Sequence, residues 1–213
     1  MSTSFKRTVE RGYGFVTESD LATKYANDPA TLAALEDLRR ELPPGAAVLD
    51  LGFGAGVPVT RWLARRFALT GVDVSARQLV LARRNVPQAY FVKADTTDLC
   101  FEPESFDAVV AFHSIIHVPR ADHPALLEEI LRWLRSDGTF FATWTLGAWE
   151  GEEDWEGWGA PTRWSHHDGQ TSLALLRDAG FAVERAEART TAGVRGDESW
   201  LWAFAKKPPR KGG

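Results

Sequence analysis

The feature that most constrains the fold is an alternation of short apolar runs with amphipathic helical segments, which begins near residue 46. Residues 46–52 form the first apolar run, and residues 57–68 carry apolar side chains at helical spacing. The pattern continues with runs at 68–75, 89–95, 105–117 and 139–145, and with helical segments at 75–85, 123–138 and 169–180. Such alternation is typical of a parallel sheet covered by helices on both faces. We therefore predict an α/β fold.

The two ends of the chain depart from this alternation. Residues 1–42 are predicted to form a separate layer, a mostly polar turn followed by a helix over 29–42 that ends at the Pro-Pro-Gly of 43–45. Residues 181–189 and 199–207 are predicted as an antiparallel strand pair at one sheet edge. We expect an N-terminal helical cap over 1–42, one domain over 43–205, and a mobile tail over 206–213.

Composition excludes several protein classes. The chain has 213 residues, of which 44% are hydrophobic, and Cys100 is its one cysteine, so neither a disulfide framework nor a cysteine metal cluster is available. A formal charge of −4 argues against a nucleic-acid partner. The sequence shows no signal-peptide pattern and no apolar run long enough to span a membrane. We expect a cytoplasmic protein.

A glycine-rich turn joins the first predicted strand to the first predicted helix. Asp50 precedes three glycines in alternation, Gly52, Gly54 and Gly56. Glycines let a backbone turn sharply and let a ligand approach closely. The dinucleotide fingerprint needs GxGxxG, but the sixth position is Val57 counted from Gly52 and Val59 counted from Gly54, which disfavours a nicotinamide oxidoreductase.

With this turn the sequence resembles the class I S-adenosylmethionine-dependent methyltransferases, over residues 46–205. The resemblance implies a Rossmann-like, doubly wound, seven-stranded and mostly parallel sheet. It also implies S-adenosyl-L-methionine as the cofactor and S-adenosyl-L-homocysteine as its product. The residues expected to bind the cofactor lie at the strand ends and in the cap: Tyr25, Asp50, Gly52, Gly54, Gly56, Asp73, Val74, Asp95, Thr96 and Phe112.

The acidic residues have separate roles in this resemblance. Asp73 would bind the ribose hydroxyls, because one carboxylate can accept both hydroxyl protons. Asp95 would accept from the adenine amino group, and the glycine turn would wrap the methionine end. The chain departs from the family where Ser136 and Asp137 replace a Pro-Gly before the fifth strand, on a connection away from the cofactor.

Methyl transfer needs a positioned nucleophile, and it needs a base only when that nucleophile arrives protonated. The candidate catalytic residues are His117, His166 and His113, with a purely structural role as the alternative for each. The histidines show no HExxH-like spacing, so we predict no metal site.

The acceptor is expected to be a small metabolite, aromatic or cationic, methylated on oxygen or nitrogen. The segment after strand four lacks the motif with which nucleic-acid amine methyltransferases grip a flipped base. The segment over 146–168 is rich in Trp and acidic residues without helical or strand period, which suggests a lid or a solvated loop packed on the sheet. Candidate substrate-binding residues are Tyr13, Trp149, Trp155, Trp158 and Trp164. A monomer or homodimer, and a non-catalytic cofactor-binding protein on the same fold, stay open.

Overall fold

A computed structural model describes residues 3–17, 28–154, 159–193 and 196–209. The helices are α1 (Thr3–Tyr13), α2 (Pro29–Glu41), α3 (Val59–Leu63), α4 (Ala76–Asn85), α5 (His123–Trp133) and α6 (Gly169–Asp178). The strands are β1 (Ala47–Leu51), β2 (Ala68–Asp73), β3 (Tyr90–Lys93), β4 (Phe106–Ala111), β5 (Leu134–Thr145), β6 (Trp149–Glu153), β7 (Thr162–His166), β8 (Ala182–Gly193) and β9 (Gly196–Lys206).

Seven strands form one sheet in the order β3-β2-β1-β4-β5-β9-β8. The pairs from β3 to β5 are parallel, and β9 pairs antiparallel with both β5 and β8. The chain order reverses between β1 and β4, and in such sheets ligands bind at the carboxyl ends of the strands beside this reversal. The predicted seven-stranded, mostly parallel sheet with an antiparallel C-terminal pair is confirmed.

Each face of the sheet carries its own hydrophobic core. On one face, side chains of α5 and α6, among them Leu127, Ile130 and Trp133, pack against β1, β4 and β5. On the other face, α2 and α3 pack against alternate residues of β9, which are Trp200, Trp202 and Phe204. The alternation along β9 follows from the two-residue period of a strand. Within the described residues, no helix is long and apolar enough to cross a membrane.

The N-terminal segment is more helical than the sequence indicated. Residues 1–28 were expected to be mostly turn, but Thr3–Tyr13 form α1. The sequence signal for this helix is the spacing of four residues between Phe5, Val9 and Tyr13. Phe5 and Val9 are buried. The turn prediction was wrong because two glycines and many charged residues hide this narrow apolar stripe.

Two predicted helices are shorter than expected. The segment over 57–68 contains only the helix Val59–Leu63, after which the Ala64 amide bonds to both the Thr60 and Trp62 carbonyls and the chain turns. The helix from His123 ends at Trp133, because Leu134 is extended and its carbonyl accepts from the Lys207 ammonium. Parallel pairing of Leu134 with Phe106 of β4 thus replaces the last helical turn.

The Trp-rich segment contains a two-stranded antiparallel ribbon, in which Trp149–Glu153 pair with Thr162–His166. The expectation of a segment without strand structure was therefore wrong. An alternating apolar pattern does not reveal β6, because its residues Glu150 and Glu152 are exposed. Their carboxylates form ion pairs with Arg120 and Arg163. Backbone pairing and surface ion pairs stabilise this ribbon, and neither produces an apolar pattern in the sequence.

Candidate functional site

One cavity opens at the carboxyl ends of β1, β2 and β4, where the sheet order reverses, with α1 and β7 on its far side. Most of its wall comes from the loops that follow these three strands. Its described lining includes most of the predicted site residues: Tyr13, Asp50, Gly52, Gly54, Asp73, Val74, Asp95, Thr96, Phe112, His113, His117 and Trp164.

The glycine turn after β1 is built against the loop after β4. Gly52 has a φ of +79°, and a Cβ on it would lie 2.3 Å from the Cβ of Ser114. No other residue fits there without moving one of the two loops. Asp50 is buried beneath the turn, where its carboxylate accepts from the Thr60 hydroxyl at 2.8 Å. Burial raises the pKa of Asp50 to about 7, opposed by the Thr60 hydrogen bond and reinforced by Asp73.

Asp73 ends β2 and is fixed by backbone amides on both sides. Its Oδ2 accepts from the Gly54 amide at 2.9 Å, and its Oδ1 accepts from the Ser75 amide at 2.8 Å. Burial raises its pKa to about 6, although these amide bonds work in the opposite direction. Each carboxylate oxygen has a second lone pair, so an orientated carboxylate remains able to accept hydroxyl protons.

Asp95 follows β3 and leaves one buried oxygen without a hydrogen bond. Its Oδ1 accepts from the amide and hydroxyl of Thr97, whereas its Oδ2 accepts no hydrogen bond from the described residues. The Lys6 ammonium of α1 lies 3.6 Å from that oxygen. A buried carboxylate oxygen in this state suits a ligand donor such as an amino group. The acidic residues and the turn therefore fit the cofactor that the sequence predicted.

Tyr13 and His117 meet in the cavity lining, at the end of α1 and in the loop after β4. The Tyr13 hydroxyl lies 2.8 Å from Nε2 of His117, and Nδ1 of the same ring lies 2.8 Å from the carbonyl oxygen of Arg163. A carbonyl only accepts, so Nδ1 carries the proton and Tyr13 donates to Nε2. Burial lowers the pKa of His117 to about 4, which keeps the ring neutral near pH 7.

Aromatic rings form the wall beside this pair. The Trp164 ring centroid lies 4.4 Å from that of His117, and the Trp200 centroid lies 4.5 Å from that of His113. His113 has a φ of 50°, and its amide donates to the Thr143 hydroxyl at 2.6 Å. Phe112 packs on Phe141 beneath this wall. The wall suits the apolar body of a small planar molecule.

Several predicted residues lie elsewhere. His166 is buried outside the cavity lining, where its Nδ1 contacts the Thr145 hydroxyl and the Gly147 carbonyl, and burial lowers its pKa. Trp149 is on the exposed strand β6, with 40% of its surface accessible. A Cβ at Gly56 would meet Ala82 of α4, so this glycine serves helix packing. The structure does not describe the remaining three predicted residues, which are Tyr25, Trp155 and Trp158.

Lys6, Thr31 and Trp200 also line the cavity and were missed from the sequence. Trp200 belongs to the alternating pattern of β9, which predicts a strand but not the cavity that its end reaches. Lys6 lies one position after Phe5 on α1, so recognising that helix would have revealed it. Thr31 lies in the first turn of α2, and no sequence signal separates it from other helix-start residues. In the part of the chain that is described, no three metal-ligating side chains are grouped.

Comparisons with known proteins agree with this geometry. A family model described as a methyltransferase domain matches residues 48–138. Methyltransferase GfsG of Streptomyces halstedii is 37% identical over 108 residues, which cover 47% of this chain and 38% of that protein. The chain spans less than half the length of the curated relatives it matches.

Two solved structures have similar folds. A phosphoethanolamine N-methyltransferase of Haemonchus contortus has a TM-score of 0.73 and 17% identity, over 97% of this chain and 60% of that chain. The [4+2]-cyclase SpnF has a TM-score of 0.71 and 19% identity, over 96% of each chain. The matching domain model and the strand order agree with the resemblance that the sequence shows to the class I S-adenosylmethionine-dependent methyltransferases.

Proposed function

We propose that this chain transfers the methyl group of S-adenosylmethionine to an oxygen or nitrogen atom of a small molecule. The observation that carries the proposal is that one cavity is lined by two kinds of group. We assign Asp73, Asp95 and the glycine turn to a cofactor end, and the pair Tyr13–His117 with the aromatic wall to an acceptor end. A methyl donor and an acceptor held at these ends would meet in the middle, which is the arrangement that an in-line displacement requires.

The cofactor end is proposed to hold each part of the donor by a different backbone or side-chain group. Asp73 would accept from the ribose hydroxyls, and the Asp95 oxygen that accepts no hydrogen bond from the described residues would accept from the adenine amino group. The turn at Gly52 would lie against the methionine portion. When bound, S-adenosylmethionine supplies an electrophilic methyl group on a sulfonium centre.

The acceptor end is proposed to orient the nucleophile through Tyr13. A phenol oxygen accepts as well as donates, so Tyr13 can accept from the nucleophile while donating to His117. Because the pKa of His117 is lowered to about 4, its ring is a weak proton acceptor at neutral pH. We therefore assign His117 to positioning Tyr13, which orients the nucleophile, and the nucleophile's proton leaves to solvent. His113 would support the ring wall.

A protein that binds the cofactor without methyl transfer is the second candidate. The similarity to a [4+2]-cyclase over 96% of each chain favours it, because this fold alone does not specify the reaction. Both candidates use the same cofactor end, so a binding measurement does not separate them.

The separating experiment measures transfer itself. The protein is incubated with S-adenosylmethionine carrying a deuterated methyl group and a panel of phenols, amines and carboxylic acids, and products are detected by mass spectrometry. Labelled product that disappears in Tyr13→Phe supports methyl transfer. Tight S-adenosylhomocysteine binding without labelled product across the panel supports the second candidate. Absence of binding contradicts both.

A further inference from the structure

The cavity is lined by two buried polar groups that lack a partner among the described residues. The indole Nε1 of Trp200 and the hydroxyl of Thr31 are buried, and neither makes a hydrogen bond to any described residue. Their residues are only 8% and 1% exposed, and both line the cavity. Leaving a buried polar group unpaired is unfavourable, so a ligand in the cavity that bonds to these two groups gains affinity.

The two groups come from α2 and β9, which pack in the same hydrophobic core on one face of the sheet. Trp200 lies on β9, where its ring packs against that of His113. Thr31 lies in the first turn of α2, where its backbone amide is capped by the Asp28 carboxylate at 2.7 Å. The amide of Thr31 is therefore bonded within the fold, whereas its hydroxyl makes no hydrogen bond to a described residue.

Charge is distributed unevenly along the same cavity. The charged side chains in the described lining are Lys6, Asp50, Asp73 and Asp95, all at the cofactor end, where Lys6 pairs with Asp95. The acceptor end is lined by aromatic and hydroxyl side chains, with two histidines, and no described Lys, Arg, Asp or Glu reaches it. An ionic acceptor would lose its hydration there without gaining a counter-ion.

We propose that the methyl acceptor is an uncharged, planar aromatic molecule whose hydrogen-bond-accepting atoms are bound by Trp200 and Thr31. An indole N–H only donates, so the atom that it binds has to be an acceptor, such as a carbonyl oxygen or a ring nitrogen. The aromatic wall holds the planar body, and Tyr13 faces the nucleophile. This inference deepens the proposed function and rests on it.

The inferred acceptor differs in charge from the molecule bound by one structural neighbour. The Haemonchus contortus enzyme was solved in complex with phosphomonomethylethanolamine, which has an anionic and a cationic group. The described acceptor end of this chain offers neither a basic side chain for a phosphate nor a carboxylate for an ammonium. We therefore expect phosphoethanolamine to bind poorly here.

The test compares two probes of nearly equal shape on protein saturated with S-adenosylhomocysteine. Calorimetry measures the dissociation constants of 4-hydroxyacetophenone, which carries a carbonyl, and 4-ethylphenol, which lacks it. We expect the carbonyl probe to bind about 3- to 10-fold more tightly, the equivalent of one added hydrogen bond. Phosphoethanolamine is the charged probe. A lack of binding by the carbonyl probe, equal binding of the two phenols, or tighter binding of phosphoethanolamine overturns the proposal.

Two substitutions test whether the preference for the carbonyl probe depends on Trp200. Trp200→Phe keeps a ring but removes the N–H, and we expect it to abolish the preference for the carbonyl probe. Trp202→Phe is the matched control, because Trp202 lies two positions along the same strand with a buried indole N–H that bonds to no described residue, but does not line the cavity. An equal loss of preference in both variants contradicts a role for Trp200.

Thr31→Val keeps the shape of the side chain and removes the unpaired hydroxyl. We expect the melting temperature to rise by about 1–4 °C, because a buried unsatisfied group is lost, while the carbonyl preference falls. A lowered melting temperature would assign the hydroxyl a structural role and overturn this part of the proposal. Binding of S-adenosylhomocysteine is measured first in each variant, so a failure of the cofactor site is distinguished from a failure of this inference.

Discussion

The hydroxyl of Tyr13 lies 2.8 Å from Nε2 of His117, although 104 positions separate the two residues in the chain. Tyr13 is the last residue of α1, and His117 lies in a single helical turn after β4. The Arg163 carbonyl of β7 fixes the other ring nitrogen. Three separate elements thus determine one hydrogen bond at the acceptor end of the cavity.

Removing the Tyr13 hydroxyl should slow methyl transfer without weakening cofactor binding. For Tyr13→Phe we expect kcat to fall about 100-fold, the size of effect that misplacing a reacting group can have, with S-adenosylhomocysteine affinity unchanged. Tyr90→Phe is the control, because Tyr90 is 68% exposed on β3. Steady-state kinetics with the acceptor found in the panel measures the effect. Equal rates in Tyr13→Phe and wild type would exclude Tyr13 from the reaction.

The pH profile of kcat reports the protonation of His117. Its pKa is lowered to about 4, so the neutral ring that accepts from Tyr13 persists as pH falls and is lost only near pH 4. At saturating cofactor we therefore expect no loss of kcat attributable to this ring between pH 8 and pH 5. A decline centred near the ordinary histidine value of about 6.5 that disappears in His117→Gln would contradict the assignment.

Asp50 should make the ligand-free fold less stable as pH rises. Its pKa is raised from 3.8 to about 7, so between these values the folded state binds a proton that the unfolded state has released. The contribution of Asp50 to the free energy of unfolding is therefore fully present below pH 3.8 and is lost as the pH rises through about 7.

Asp50→Asn removes this ionisation, so the free energy of unfolding of the variant relative to wild type should increase between pH 4 and pH 8. We expect an increase on the order of 1–4 kcal/mol, measured by urea denaturation at several pH values. His117 and His123, whose pKa values are lowered to about 4, act in the opposite sense below pH 6.5 but are common to both proteins. A pH-independent difference would show that Asp50 is not buried as described.

Gly52→Ala should destabilise the fold through two loops at once. The φ of +79° disfavours any side chain, and the new Cβ would lie 2.3 Å from that of Ser114. We expect a loss of about 2–5 kcal/mol in the free energy of unfolding, combining backbone strain with overpacking. Adding Ser114→Gly removes the nearest contact and should restore part of the loss. No restoration in the double variant would rule out Ser114 as the obstacle.

The sheet was predictable because its central strands are continuous apolar runs ended by polar or glycine residues. The family resemblance pointed to Asp50, Asp73 and Asp95, which lie where the carboxyl ends of neighbouring parallel strands meet at one edge of the sheet. These residues share one cavity because of their position along the strands, which the sequence displays directly.

The acceptor end was less predictable because long-range packing builds it. Trp200 reaches the cavity only because β9 inserts between β5 and β8, an order that no local pattern specifies. Trp164 lines the cavity while Trp149, on the partner strand, is exposed, and the sequence of the segment did not distinguish them. A strand with exposed acidic residues, such as β6, has no alternating apolar pattern from which it could be predicted.

The central claim is that this cavity binds the cofactor through the carboxylate at the end of β2, and calorimetric titration with S-adenosylhomocysteine tests it most directly. At pH 8, where Asp73 is ionised, we predict one site per chain with a micromolar dissociation constant. Asp73→Ala should weaken binding about 10- to 100-fold, and His117→Gln should leave it unchanged. No binding by the wild-type protein, or equal binding by Asp73→Ala, would contradict the account.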